Sequence, residues 1–361
     1  ASLKDKGFAS SLSQSERLTA KAREFYPEIQ KVLFQDGELL AYPLTFSPST
    51  WTLNIDWWNK FDLGDYPLNY EELTEDIAKW VENFAEDNPD YVLFDNQQDL
   101  NMYVTSIIKE YILQNEEAMG EAFSFNTDEF KRVMMAVIKH KDAFLSSTEY
   151  YGMPILSSYY QGFGVFASDG CNNIMIAPPA FDKNDQQLVS AQMDLLIVNP
   201  ASDNIEKAIR FIEFCADSTD ITMLYMMCPG LDMPVRSKQI EKRLSIVSSE
   251  LEELERSLES VADDKKESLL LEIQNKTKNI NYLNENVWEI SSESIENYKE
   301  IGSKLHIPYR SQYFKNDSLG GLTSIISIVN RFCDQGLDES TLSQMIAELD
   351  HIVRMMHMES M

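Results

Sequence analysis

The sequence predicts an α/β protein whose second half is rich in helix, and three observations carry this. Short apolar runs such as "LLAYPL" and "MDLLIVNP" alternate with amphipathic helical stripes early in the chain. The tail carries helical patterns only, and residues 239–290 between them hold a heptad seam on two arms.

In chain order, residues 15–34 read helical, with Leu18, Ala22, Phe25, Ile29 and Leu33 near one stripe. Asp36-Gly37 marks a turn, followed by a short strand that Pro43 should end. "WTLNIDWWNKFDLG" reads as a strand running into a short helix closed by Gly64. Asn69 is the expected N-cap of the next helix, on which Leu73, Ile77, Trp80 and Phe84 form an inner stripe. Residues 99–118 and 127–145 are further amphipathic helices. Thr127 caps the second, and Phe130, Met134, Val137 and Ile138 lie on its inner face. The Gly-, Pro- and aromatic-rich stretch from Ser147 to Phe181 reads as short strands and loops. "MDLLIVNP" is a buried strand, "ASDNIEKAIRFIEFCA" a helix capped near Ser202, and "MMCPGLDMPVRS" a loop.

In the seam, Ile240, Leu244, Val247, Leu251, Leu254, Leu258 and Val261 alternate four-three spacing. It resumes after "ADDKKES" at Leu269, Ile273, Lys276, Ile280, Leu283, Val287 and Ile290. This predicts an antiparallel helical hairpin with Lys276 as its one polar intrusion. Two tail helices follow, with Ser291/Ser294 and Glu339/Ser340 as candidate caps.

Composition narrows the function. With 361 residues, a large core and more than one lobe are possible. A net charge of −28 repels polyanions, which argues against nucleic acid and for a neutral or cationic ligand. No apolar run approaches the roughly 18–20 residues that span a membrane, and "ASLKDKGFASSL" has no apolar signal region. Cys171, Cys215, Cys228 and Cys333 form no CxxC pair, so they read as small buried hydrophobes, with a Cys215–Cys228 bridge left open. The four histidines make no HExxH or i, i+4 pair, so no metal site is expected. "GFGVFASDG" lacks a properly placed third glycine, and no GxxxxGK[ST] or GxSxG occurs. No carboxylate pair stands out as an acid/base couple. No cofactor and no enzymatic activity are expected.

Three loop groups at strand ends combine polar and aromatic residues. They are Thr45, Phe46, Ser47, Ser49 and Trp51; Gln97, Gln98, Asp99 and Asn101; and Tyr150, Tyr151, Ser157, Ser158, Tyr159 and Tyr160. Aromatic faces pack on the C–H faces of sugar rings, while Ser, Asn, Gln and Asp bind their hydroxyls. Ligands of open α/β sheets sit outside the carboxyl ends of strands.

The order of segments resembles the extracellular solute-binding proteins of ATP-driven (ABC) importers, in the family of maltose- and other oligosaccharide-binding proteins. "LKDKGFASSLS", "DGELLAYPLTFSPSTWTLNIDWWNKFDLGDYPLNYEEL", "LLIVNPASDNIEKAIRFIEFCAD", "MMCPGLDMPVRSK" and "LGGLTSIISIVNRFCDQGLDESTLSQMIAELD" match that family's blocks in order, over nearly the whole chain. Leu53 and Ile55 replace the family's Tyr and Lys around Asn54, and the strand-helix-strand units that open the family's first lobe have no counterpart.

The resemblance implies a two-lobed, periplasmic-binding-protein-like (class II) fold. Residues 1–45 and 195–238 would form the first lobe. Residues 49–192 and 239–361, including the hairpin at 239–290, would form the second. Crossings are expected near Thr45–Ser49, Met193–Leu195 and Ser237–Gln239. It further implies a monomer that captures a sugar for a membrane permease, outside the cell and lipid-anchored through a segment preceding residue 1. Phe46, Ser47, Ser49, Trp51, Gln98, Asp99, Tyr159 and Tyr160 fall where ligand contacts are implied. Two other classes stay open: an interaction or scaffold module using the hairpin (or a binder of a non-sugar solute), and a glycosidase-like enzyme.

Overall fold

The computed structural model describes residues 7–95, 99–116, 123–145, 152–160, 164–168, 171–258, 263–308 and 321–360. The stripe over 15–34 splits into α1 (Glu16–Arg23) and α2 (Pro27–Leu33). Pro27 lacks the N–H needed to continue α1, yet its fixed φ suits the first position of α2. Asp36 and Gly37 both take positive φ, 51° and 83°, in the turn joining β1 (Phe34–Gln35) to β2 (Glu38–Leu39).

Pro43 does not end its strand. β3 (Tyr42–Pro48) runs on through it, with a register shift between Pro43 and Thr45 that accommodates the missing N–H. Only Ser49 separates β3 from β4 (Thr50–Asn54). Asn54 caps α3 (Ile55–Lys60) by accepting from Trp57 N, and Asn69 caps α4 (Tyr70–Asn83) by accepting from Glu72 N. β5 (Tyr91–Phe94), α5 (Leu100–Gln114), α6 (Asp128–His140) with its Thr127 cap, and α7 (Asp142–Leu145) complete this stretch.

The aromatic-rich stretch gives β6 (Met153–Tyr160), β7 (Val165–Ser168) and β8 (Cys171–Ile176), before β9 (Val189–Leu196). α8 (Ile205–Asp217) follows; Ser202 braces the approach by accepting from Asn204 N instead of capping the helix. α9 (Ile221–Met227) occupies the start of the segment expected as loop.

The seam forms α10 (Lys238–Leu258) and α11 (Asp263–Glu285), flanked by β10 (Val235–Arg236) and β11 (Trp288–Ile290), which pair antiparallel. Ser237 N donates to Val287 O at 2.8 Å at the base, and Lys276 crosses the arms to pair with Glu250. The one polar seam residue thus has an opposite charge facing it. Val247 and Leu283 are buried, while Leu251 and Leu254 are half-buried, because two helices cover each other on one side only.

α12 (Ser292–Gly302) is capped by Ser291, and β12 (Leu305–His306) follows it. α13 (Gly321–Asp334) and α14 (Glu339–Ser360) end the described chain. The α14 cap is Asp338, which accepts from Thr341 N at 2.9 Å, rather than Glu339 or Ser340.

Two sheets organise these elements, ordered β12-β9-β3 and β5-β6-β4-β8-β7. Each has its own core. The first gathers Leu12, Leu18, Ile29, Leu33, Tyr42, Phe46, Val198, Ile209 and Met227. The second gathers Trp51, Leu53, Leu73, Ile77, Trp80, Tyr103, Phe130 and Val133, with Ile325, Phe332, Met345 and Leu349 from the tail helices. The cores part between Phe46 and Trp51. Tyr298, Ile301 and Leu305 join the first core, although they lie in the range expected for the second lobe. Cys215 and Cys228 are both free thiols.

Candidate functional site

β5 and β6 run parallel, with Phe94 opposite Leu156, so their carboxyl ends open at the same sheet edge. One carboxylate ties these ends: Asp95 Oδ2 accepts from Ser158 N at 2.7 Å and from Ser158 Oγ at 3.0 Å. β4 runs antiparallel to β6, which sets its first residue, Thr50, opposite Tyr160. Ser49 N, one residue earlier, donates to Ser190 O at 2.7 Å on β9. The mouth of the larger sheet and the crossing to the smaller one therefore share an edge.

The crossing ribbon has two unlike faces. Phe46 and Met193 face each other on the first core, with Phe46 only 4% exposed. On the alternate positions Thr45 pairs with Asp194 and Ser47 with Gln192. Thr45 Oγ donates to Asp194 Oδ2 at 2.8 Å, and Thr45, Gln192 and Asp194 are exposed while Ser47 and Ser49 are half-buried. Period-two side-chain alternation produces this division. The result is a ladder of hydroxyl, amide and carboxylate groups suited to hydrogen-bonding a polyhydroxylated neutral molecule.

Two of the residues expected at the ligand belong to the cores. Phe46 is inward by the alternation just described. Trp51 is 5% exposed and stacks on Phe94 at 4.8 Å between centroids. It lies on β4, the middle strand of its sheet, whose five residues are all buried. Asp99 is exposed and caps α5, accepting from Met102 N at 3.0 Å. Tyr159 and Tyr160 end β6 at the shared edge, but their side chains, and Gln98 altogether, lie outside the described residues. Gln192, Asp194 and Asp95 were missed. The first two were legible as the alternating polar positions of "SAQMD", where Ser190, Gln192 and Asp194 recur at period two.

Burial raises the Tyr70 phenol well above its ordinary range, helped by the nearby Glu110 and Asp95 carboxylates, so it stays neutral beneath the site. Among the described residues, no group of three His, Cys, Asp or Glu gathers as a metal site, and no helix is long and apolar enough to cross a membrane.

Two sheets, each with its own core and joined by crossing strands, make the two-lobed α/β fold of bacterial solute-binding proteins. The Bacillus subtilis protein msme, in an open conformation, superposes with a TM-score of 0.55 at 11% identity, over 98% of this chain and 80% of its own. The bacterial solute receptor AcbH, with an exclusive substrate preference for β-D-galactopyranose, gives 0.53 at 11% identity over 98% and 82%. A cyclic α-maltosyl-1,6-maltose binding protein from Arthrobacter globiformis gives 0.52 at 11% identity over 96% and 80%. No family model matches the chain, and no curated protein matches it.

Proposed function

We propose that the chain is the substrate-binding component of an ABC importer, capturing a carbohydrate between two hinged lobes outside the cell and passing it to a membrane permease. The observation that carries this reading is the polar ladder of Thr45, Ser47, Gln192 and Asp194 on the crossing ribbon, beside the open ends of β5 and β6. Ligand contacts are assigned to Ser47, Ser49, Gln98, Asp99, Tyr159 and Tyr160, with Gln192 and Asp194 added from the ladder. Phe46 and Trp51 support these contacts from behind. The chemistry asked of the protein is recognition: the ladder supplies donors and acceptors without any nucleophile–base pair.

A thermal-shift screen against mono- and oligosaccharides tests it. A ligand at 100 times its dissociation constant stabilises the folded chain by about 2.7 kcal/mol. The expected result is a shift for at least one sugar, reduced in Ser47→Ala and Gln192→Ala. A folded protein that responds to no carbohydrate overturns the reading.

A further inference from the structure

We propose that α12 is a clasp that holds the two lobes at one angle. The helix is rooted in the first lobe. Tyr298 and Ile301 are each 1% exposed in the first core, and Ile295 packs with Tyr225 and Ile290 at the base of the hairpin. Gly302 lies flush on the ring of Tyr26, where an added Cβ would come within 2.3 Å of the phenol oxygen.

The same side of α12 also grips the larger sheet, because Ser294, Asn297, Tyr298 and Ile301 follow the i, i+3, i+4, i+7 spacing of one helix face. Ser294 and Asn297, three residues apart, share a face of the helix. Val165 N donates to Ser294 Oγ at 3.2 Å, and Ser294 Oγ is also 3.2 Å from Val165 O. Asn297 Nδ2 donates to Met175 O at 2.8 Å. Gly164, at φ +62°, fits against Ser294 so closely that an added Cβ would lie 2.4 Å from the serine Cβ. Met175 of β8 turns its own side chain into the first core. The edge strand β7 and its neighbour β8 are therefore bound to an element anchored in the other lobe.

A second tie lies at the end of α5. Gln114 Nε2 donates to Gln186 O at 2.8 Å, and His306 Nε2 lies 2.8 Å from Glu116 Oε2. Crossing strands alone allow the lobes to swing; these bonds oppose it, and any rotation about the ribbon must part α12 from β7 and β8. The clasp is also releasable. Asn297 Oδ1 is buried and has no hydrogen-bond partner among the described residues, so opening returns that acceptor to water. Closure on a ligand would thus exchange the Ser294 and Asn297 bonds for ligand contacts.

Electron–electron double resonance on the ligand-free chain tests this. Spin labels are attached through bioorthogonal side chains at Glu75 on α4 and Arg210 on α8, both exposed, leaving the native cysteines in place. The unmodified interior should give one narrow distance peak. The Ser294→Ala/Asn297→Ala double variant should place at least a fifth of the distribution at a second distance, with an unchanged far-ultraviolet circular dichroism spectrum. If the double variant does not fold, Asn297→Ser is read the same way. A broad distribution in the parent, or one peak of unchanged width in the variant, overturns the proposal. No ligand is used, so the outcome is separate from that of the carbohydrate screen.

Discussion

Replacing Asp95 by alanine should loosen the mouth of the candidate site, by an amount that follows from its bonds. Asp95 Oδ2 accepts from Ser158 N at 2.7 Å and from Ser158 Oγ at 3.0 Å. Hydrogen bonds to a charged group contribute roughly 1.5–3 kcal/mol each, and a buried N–H left without a partner costs about 1–3 kcal/mol. The two bonds share one oxygen and are not additive, and losing a half-buried carboxylate also removes its desolvation cost. The expected net loss for Asp95→Ala is about 3 kcal/mol. Asp95→Asn keeps a neutral acceptor and should lose about 1–1.5 kcal/mol. Ser158→Ala, which removes the longer bond and keeps the backbone one, should lose about 1 kcal/mol. With unfolding entropy near 2.1 cal/mol/K per residue, 3 kcal/mol lowers the midpoint by roughly 4 °C. Differential scanning calorimetry of the three variants reads the series. A midpoint for Asp95→Ala within half a degree of the parent, or an order in which Ser158→Ala is the most damaging, would refute the reasoning.

Three further outcomes are expected. The hydrogen bond from Lys21, followed by the Lys21 and Arg17 charges, holds the Asp217 carboxyl below its ordinary 3.8. The α1–α8 tie is therefore complete above about pH 4 and is lost as pH falls through the lowered value, which hydrogen exchange of α1 amides should report and Asp217→Asn should abolish. Burial, then the Glu24 charge, pushes the Cys228 thiol up to about 12, so native-state iodoacetamide at pH 8 should modify the half-buried Cys171 and Cys215 while sparing Cys228 by mass spectrometry. Lys276→Leu exchanges a surface ion pair worth about 0–1 kcal/mol for apolar seam contact, and should slow amide exchange in the hairpin about threefold; faster exchange would count against the seam.

Much of the local structure was legible because local rules decide it. The caps at Asn69, Thr127 and Ser291 satisfy helix-end N–H groups within three residues, so their signal needs no distant partner. The turn at Asp36-Gly37 and the hairpin seam are likewise short-range patterns. Pro43 was misread because a bulge tolerates what a regular ladder forbids, and the bulge depends on β9, some 150 residues away. The candidate site was half legible for a related reason. Ser47 and Ser49 alternate visibly with their buried neighbours, but nothing local says that Gln192 and Asp194 stand across from Ser47 and Thr45.

Local pattern sets where helices begin, which faces are apolar, that the 239–290 arms pair, and the order of blocks from which a two-lobed binding fold is expected. Tertiary structure alone decided how those pieces are shared. It made β4 a central strand and so buried Trp51, drew the ends of β5, β6 and β3 to one edge, and rooted α12 in one core while its Ser294 and Asn297 hold the other sheet. The physical reason is range. Capping and periodicity are settled within a turn or two of chain, whereas burial on both faces, strand order and contacts between lobes depend on surfaces that meet only after the chain has collapsed.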